Sequence, residues 1–279
     1  MDNILIGMLN ALGAGPEGSF EALAQSPEQY NSTLYAAAET LHNVAVKPLT
    51  AVVLTIVLLL MLAAQSTRVD GDRELGVRII SGILLKAALV IVFASHAMTI
   101  LKGIDEAFTA VAAAALEADV GAGDIGELGL GDQMADDVED AGTVDKLGVF
   151  VLALLPFIVT KIAGVLALVL IYVRFLQLYL LTVFASLPIA FLSYEETKPM
   201  GITYLKRYAS TALTGVVLLL AVKMYQAMLG NLTTVSIDGD TNLSSVILMN
   251  FGSFFVAPLV LIFILFGASQ IAKSVVGDA

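Results

Sequence analysis

The stretch LGVFVLALLPFIVTKIAGVLALVLIYVRFLQLYLLTVFASLPIAFL, Leu147–Leu192, contains no Asp or Glu and only two basic residues, Lys161 and Arg174. How often it crosses a membrane decides the fold. As a single helix it would reach ~69 Å, roughly twice the ~30 Å hydrocarbon core of a bilayer. Length alone favours two crossings. Yet Val165–Ala185 has no Gly, Asn or Asp to turn a hairpin, and those are the residues that tight turns require.

Charge resolves the conflict. Four further apolar stretches, Val46–Ala64, Ile79–Leu101, Tyr208–Leu229 and Asn250–Ala272, also lack Asp and Glu. With 58% hydrophobic and 14% charged residues, against about 25% charged in soluble domains, the chain reads as a polytopic membrane protein. Basic residues of short loops mark the cytoplasmic side. Ser66–Arg78 carries Arg68, Arg73 and Arg78, and Ser193–Arg207 carries Lys198, Lys206 and Arg207. By contrast, Met1–Val46 has five acids and no base, and Lys102–Lys146 has twelve acids and two terminal lysines. Gly230–Met249 has two acids and no base. An outside loop ending at Lys146 and an inside loop starting at Ser193 need an odd number of crossings, and one is the economical number.

The expected fold is therefore an all-α membrane protein. It has five transmembrane helices, a long third helix, the N-terminus outside and the C-terminus inside. Residues 1–45 form an extracytoplasmic amphipathic N-terminal segment and 46–101 the first two transmembrane helices. Residues 102–146 form a large acidic extracytoplasmic loop and 147–279 the last three transmembrane helices. Met1–Leu12 has an acid where a signal peptide needs bases. It reads as a short helix on a membrane surface, with a buried structural segment as the alternative. Ile104–Leu116 is Ala-rich and helical in propensity, so the second helix is expected to continue past Gly103. Asp119–Asp145, rich in Gly and Asp, reads as a mobile acidic loop.

Motifs for catalysis are scarce. No Gly-Lys-Ser/Thr, Gly-x-Ser-x-Gly or His-Glu-x-x-His occurs, and there is no cysteine, so the expectation is no enzyme, no cofactor and no metal. His42 and His96, the two histidines, fit packing better than a metal pair. Asp238, Asp240 and Asn242 open like a calcium loop, but Leu243 stands where Gly is needed and Met249 where Glu is needed.

Cations within apolar segments say more. Lys86, Lys161, Arg174 and Lys223 lie there with no carboxylate in any span, and such residues are functional candidates by default. Snorkelling to the headgroups is the ordinary explanation and suits Lys223 and Lys161, and Lys86 in part. Arg174, near the middle of its stretch, suits it worst, and Gln177 lies on the adjacent turn. Its charge then needs helix carbonyls, Gln177, water, a neighbouring subunit or an anionic phospholipid.

From Tyr172 the chain reads YVRFLQLYLL, then ASLPIAF over 185–191, and Gly201-Ile202-Thr203-Tyr204-Leu205-Lys206-Arg207-Tyr208 leads into the fourth span. This resembles the TrbL-type polytopic inner-membrane subunit of type IV secretion and conjugation machines. That family has an Arg-bearing helix, a downstream Ala/Pro motif with Pro188, and a Gly-x-x-Tyr-Leu-Lys entry at Gly201, Tyr204 and Lys206. Asn31–Tyr35 through Val46-Lys47-Pro48 is similar to versions from conjugative elements of Gram-positive bacteria. The resemblance implies a non-enzymatic channel or scaffold subunit of the cytoplasmic (inner) membrane. It also implies a self-assembled ring, a pentamer by family expectation, bearing a pilin or stalk protein outside. Separate ATPases and other membrane subunits would be partners, and DNA or protein the cargo. The rival classes are a solute transporter or permease, which predicts two similar halves, and a structural anchor for a soluble partner.

Overall fold

The computed structural model describes residues 1–14, 20–66, 73–118, 130–232 and 243–278. The Asp238–Asn242 turn and residues 119–129 of the acidic loop lie outside them, as does Arg68. Every regular element among the described residues is helical. The first are α1 (Asp2–Ala14), α2 (Pro27–Tyr30), α3 (Ser32–Leu41), α4 (Lys47–Ser66), α5 (Arg73–Ser95) and α6 (Ala97–Glu117). Then come α7 (Leu130–Gln133), α8 (Ala135–Asp140), α9 (Thr143–Val183), α10 (Ser186–Ala190), α11 (Lys198–Leu232) and α12 (Leu243–Val276).

Among the described residues, five helical runs are long and apolar enough to cross a membrane: Ser32–Ala64, Gly76–Ser95, Thr143–Val183, Lys198–Tyr225 and Pro258–Val276. A hydrocarbon core leaves the backbone no partner but itself, so uninterrupted helix is the outcome. The decisive stretch is one helix: α9 runs 41 residues with Pro156 inside it. It ends at Val183, after which α10 and a 3-10 turn over Phe191–Ser193 complete the apolar sequence.

Several expected boundaries move, the last run among them, at Pro258–Val276 where Asn250–Ala272 was expected. The first spanning run starts at Ser32, well before Val46, because a π-helical turn over His42–Val46 joins α3 to α4. Pro48 has no N–H to give the carbonyl four residues back. The wider turn, in which the Lys47 N–H bonds to the His42 carbonyl, lets the helix pass through that position. The second run stops at Ser95. A turn at His96 separates it from α6, so Ala97–Glu117 is a helix of its own and not a continuation. The fourth run begins at Lys198, ahead of Tyr208.

The chain divides into two compact units. Met1–Ala24, Ala112–Val173 and Gly215–Ile271 form one, and Gln25–Val111, Arg174–Thr214 and Ala272–Ala279 form the other. In the first, α1 packs on α7 and α8. Leu5 and Leu9 are fully buried with Met134, Val138, Val149, Ala153 and Ile247. Asn10 and Asp132 bond reciprocally, Nδ2 to Oδ2 at 3.0 Å and the Asp132 N–H to Asn10 Oδ1 at 3.0 Å. Gly131 lies so close to the Ile6 carbonyl that a Cβ would collide with it. Lys146 pairs with Asp2 at 3.0 Å. One face of the N-terminal helix, with Leu5, Met8, Leu9 and Leu12, is thus buried in this unit, while Met1, Asn3, Ile4 and Gly7 on the other face are exposed. The second half of the acidic loop is folded beneath it. Val138 is buried while Asp136, Asp137, Glu139 and Asp140 on the same short helix are exposed, which is why composition alone suggested a solvated run.

In the second unit, α10 packs on α4 and α5, and Val57, Met61 and Ile83 form a small core. Asn31 caps α3 by accepting from the Leu34 N–H. Just upstream, Ser26 and Gln29 make a reciprocal capping box on α2.

Candidate functional site

The ends of α9 and the start of α11 carry the densest buried polar chemistry, all within the second unit. A helix leaves its last four carbonyls without intrahelical donors. At the end of α9, the Tyr204 hydroxyl donates to the Leu181 carbonyl at 2.7 Å. Nδ1 of His42, 3% exposed, lies 3.0 Å from the Val183 carbonyl. That oxygen can only accept, so Nδ1 carries the proton. Thr50 Oγ1 and Ser186 Oγ, both buried, are 2.8 Å apart. The π-helical turn and the first turn of α4 therefore cap the break between α9 and α10.

Arg174 sits two turns before that break and is 6% exposed. Its Nη2 donates to the Ala212 carbonyl on α11 at 3.3 Å, and its guanidinium lies 4.8 Å from the Phe175 ring centroid. Phe175 in turn stacks on Tyr30 with centroids 3.8 Å apart. Of the compensations open to Arg174, a helix carbonyl is present. A carboxylate joins it, which the sequence did not offer: Asp105 on α6, 6% exposed. The Tyr208 hydroxyl donates to Asp105 Oδ2 at 2.6 Å, and the Arg174 charge acts on the same carboxylate. Asp105 Oδ1 is buried with no hydrogen-bond partner among the described residues. Gln177 is exposed and takes no part.

Asp105 lies outside the five spans. Burial pushes its carboxyl up to about 6, against the opposing pulls of the Tyr208 hydroxyl and Arg174. The folded state thus holds a proton that the unfolded chain, with an ordinary Asp near 3.9, gives up. Stability from this group is fully present below about pH 4 and is lost as pH rises through about 6. Between those values, unfolding midpoints of the parent should fall with rising pH relative to Asp105→Asn, which removes the titration. Parallel curves would contradict this.

The residues of the Gly-x-x-Tyr-Leu-Lys entry converge on the same region. A Cβ on Gly201 would stand 2.6 Å from the Pro188 carbonyl, so Gly201 is where α11 closes on α10. Lys206 Nζ donates to the Gly277 carbonyl at 2.8 Å, capping the end of α12 where Gly277 adopts φ 70°, as a helix C-terminus favours. The other cations are placed differently. Lys161 is exposed with its ammonium 5.5 Å from the Phe157 ring. Lys86 is exposed on α5. In the first unit, Lys223 donates to the carbonyls of Leu116 and Ala118 at the end of α6, a helix cap where snorkelling was expected.

His96 Nδ1 lies 3.0 Å from its own helix's Val92 carbonyl. His42 is engaged at Val183, so the two histidines make no pair. Among the described residues no cluster of three His, Asp or Glu could hold a metal ion.

The sequence signal for Asp105 was the weak one of an acid two residues after Gly103 in an Ala-rich helix. His42 and Thr50 gave none, since their partners are backbone and hydroxyl groups 136 or more residues away. A search among curated proteins finds no match. The family model described as TrbL/VirB6 plasmid conjugal transfer like protein, however, matches residues 18–186, more than half of the chain. With five apolar helices of spanning length, the chain belongs to the TrbL/VirB6 conjugal transfer family and is a multi-pass membrane component of conjugal transfer (type IV secretion) machinery.

Proposed function

We propose that the protein is a channel or scaffold subunit of a conjugative type IV secretion apparatus in the cytoplasmic membrane. In this reading it works as a homo-oligomeric ring beneath an extracytoplasmic pilus or stalk, performs no catalysis itself, and draws energy from partner ATPases. The family match over residues 18–186 carries the reading. It takes in Arg174 and stops short of Pro188, Gly201, Tyr204 and Lys206. Pro188 and Gly201 contribute through their close approach at α10, Tyr204 through the Leu181 carbonyl and Lys206 through the Gly277 carbonyl. Support against a two-halved permease comes from the odd number of spanning runs among the described residues.

Orientation follows the basic loops: N-terminus outside, C-terminus inside. Because the chain has no cysteine, single Cys at Ser19, Ala122, Thr197 and Ser244 can be probed with an impermeant thiol reagent on intact cells. Ser19, Ala122 and Ser244 should label and Thr197 should not. Labelling of Thr197 would end this topology.

For the ring, native mass spectrometry in mild detergent should give a multiple of the 29.3 kDa chain. Deletion of the gene should abolish transfer until the chain is restored. Of the small residues that permit close helix approach, Ala97 and Ala268 are fully buried within the chain. A Cβ on Gly82, Gly252 or Gly267 would meet nothing within 4 Å, leaving those positions open to a neighbouring copy. A monomer in both detergent and nanodiscs would refute the ring.

A further inference from the structure

Within the second unit, the end of α4 and the middle of α5 line a groove of about 540 Å³. Ile79 and Ile83 wall one side, and Lys86, Tyr194, Glu195 and Glu196 ring it. Met61 and Ser193 line this groove and also a second cavity of about 220 Å³, whose remaining walls include Leu54, Leu58, Ala87 and Ile91. One recess thus has a charged mouth and an apolar throat. Lys86, mid-helix on α5 and flanked by apolar residues from Ile83 to Val92, makes no ion pair among the described residues. A membrane-embedded ammonium without a carboxylate is costly unless an anion or water reaches it. Two carboxylates at the same mouth leave it net negative, which repels a ligand of net negative charge and favours one that brings its own cation.

The outward residues of the two helices that frame the recess are exposed and apolar, including Leu59, Leu60, Leu84 and Leu85. Lipid is therefore the medium at its entrance. The geometry points to a binding site for a zwitterionic aminophospholipid. Its phosphate meets Lys86, its ammonium meets Glu195 and Glu196, and one acyl chain fills the throat lined by Leu54, Leu58 and Ile91. This site stands apart from the Arg174 junction and does not depend on the transfer role.

The test uses the full chain in nanodiscs of equimolar phosphatidylethanolamine and phosphatidylglycerol with identical acyl chains. Lipids retained after detergent extraction are counted by native mass spectrometry. Phosphatidylethanolamine should be retained about tenfold over phosphatidylglycerol, the scale of one charge-assisted contact. The exposed pair E195Q/E196Q should erase that preference without altering helicity. K86Q should lower retention of both lipids, and Ile91→Trp should do so by filling the throat. Equal retention by the parent, preference for phosphatidylglycerol, or an unchanged preference in E195Q/E196Q would overturn the site. So would full displacement of the lipid by soluble phosphoethanolamine, which would leave the throat no role. Loss of self-association in Ile91→Trp with lipid unchanged would give the recess to a second copy and likewise overturn it.

Discussion

Arg174→Leu should destabilise the protein by about 1–3 kcal/mol, because it removes the donor from a buried acceptor. The Ala212 carbonyl loses its donor, and Asp105 loses the cation that favours its ionised form. Removing the carboxylate as well should restore much of the loss: Arg174→Leu with Asp105→Asn should be more stable than the sum of the two single changes, by at least about 1 kcal/mol. Arg174→Lys should fall between parent and Leu, since it keeps the charge that acts on Asp105 but loses the planar fork that reaches the Ala212 carbonyl. Thermal or denaturant unfolding in detergent gives the energies, and transfer frequency gives the function. The sequence left helix carbonyls, Gln177, water, a neighbouring subunit or an anionic phospholipid open as compensation, and the Ala212 carbonyl is one of these. With Arg174 only 6% exposed within a single chain, the expected defect lies in the fold of the subunit. An Arg174→Leu protein as stable as the parent, or a double variant no better than additive, would make Arg174 a bystander.

Gly201→Ala should be the most damaging single-methyl change at the junction. Elsewhere in a helix it would gain up to about 1 kcal/mol from propensity. Here the new Cβ would stand 2.6 Å from the Pro188 carbonyl and 2.6 Å from Leu192 Cδ2. The leucine can move, but the carbonyl belongs to the backbone of α10. Overpacking of this kind costs about 1–3 kcal/mol, so the clash should exceed the propensity gain. Gly82→Ala and Gly267→Ala, where a Cβ meets nothing, supply the control and should be neutral or slightly stabilising in the monomer. The expected pattern is a lower unfolding midpoint and reduced transfer for Gly201→Ala alone. Equal midpoints for all three would show that α10 yields freely and that the close approach has no consequence.

The spans were legible because they rest on one-dimensional properties: runs of apolar residues without a carboxylate. The single long α9 was legible for the same reason, joined to the absence of turn residues in Val165–Ala185. What failed to show were features set by residues distant in the chain. Asp105 lies in an Ala-rich helix followed by further acids, and nothing local separates it from exposed Glu106; only the approach of Tyr208 and Arg174 does. At α8, Met134 just before the helix and Val138 within it are four apart among acids, an apolar pair too short to register as an amphipathic face. The Gly-x-x-Tyr-Leu-Lys entry could be located from its pattern, whereas its contacts with Pro188, Leu181 and Gly277 needed the fold.

The π-helical turn in the first spanning run sets a phase. The buried residues Ala38, His42, Val46 and Thr50 recur every fourth position, and in an unbroken α-helix of about 3.6 residues per turn such a series would wander about a third of a revolution around the axis. The wide turn absorbs that drift and keeps His42 on Val183 and Thr50 on Ser186. The number of residues between Ala38 and Thr50 is therefore as constrained as their identities. Deleting one residue from His42–Val46 would yield a more regular helix, yet it would rotate Tyr35 and Ala38 away by about a quarter turn and uncouple the front of the chain from the α9–α10 break.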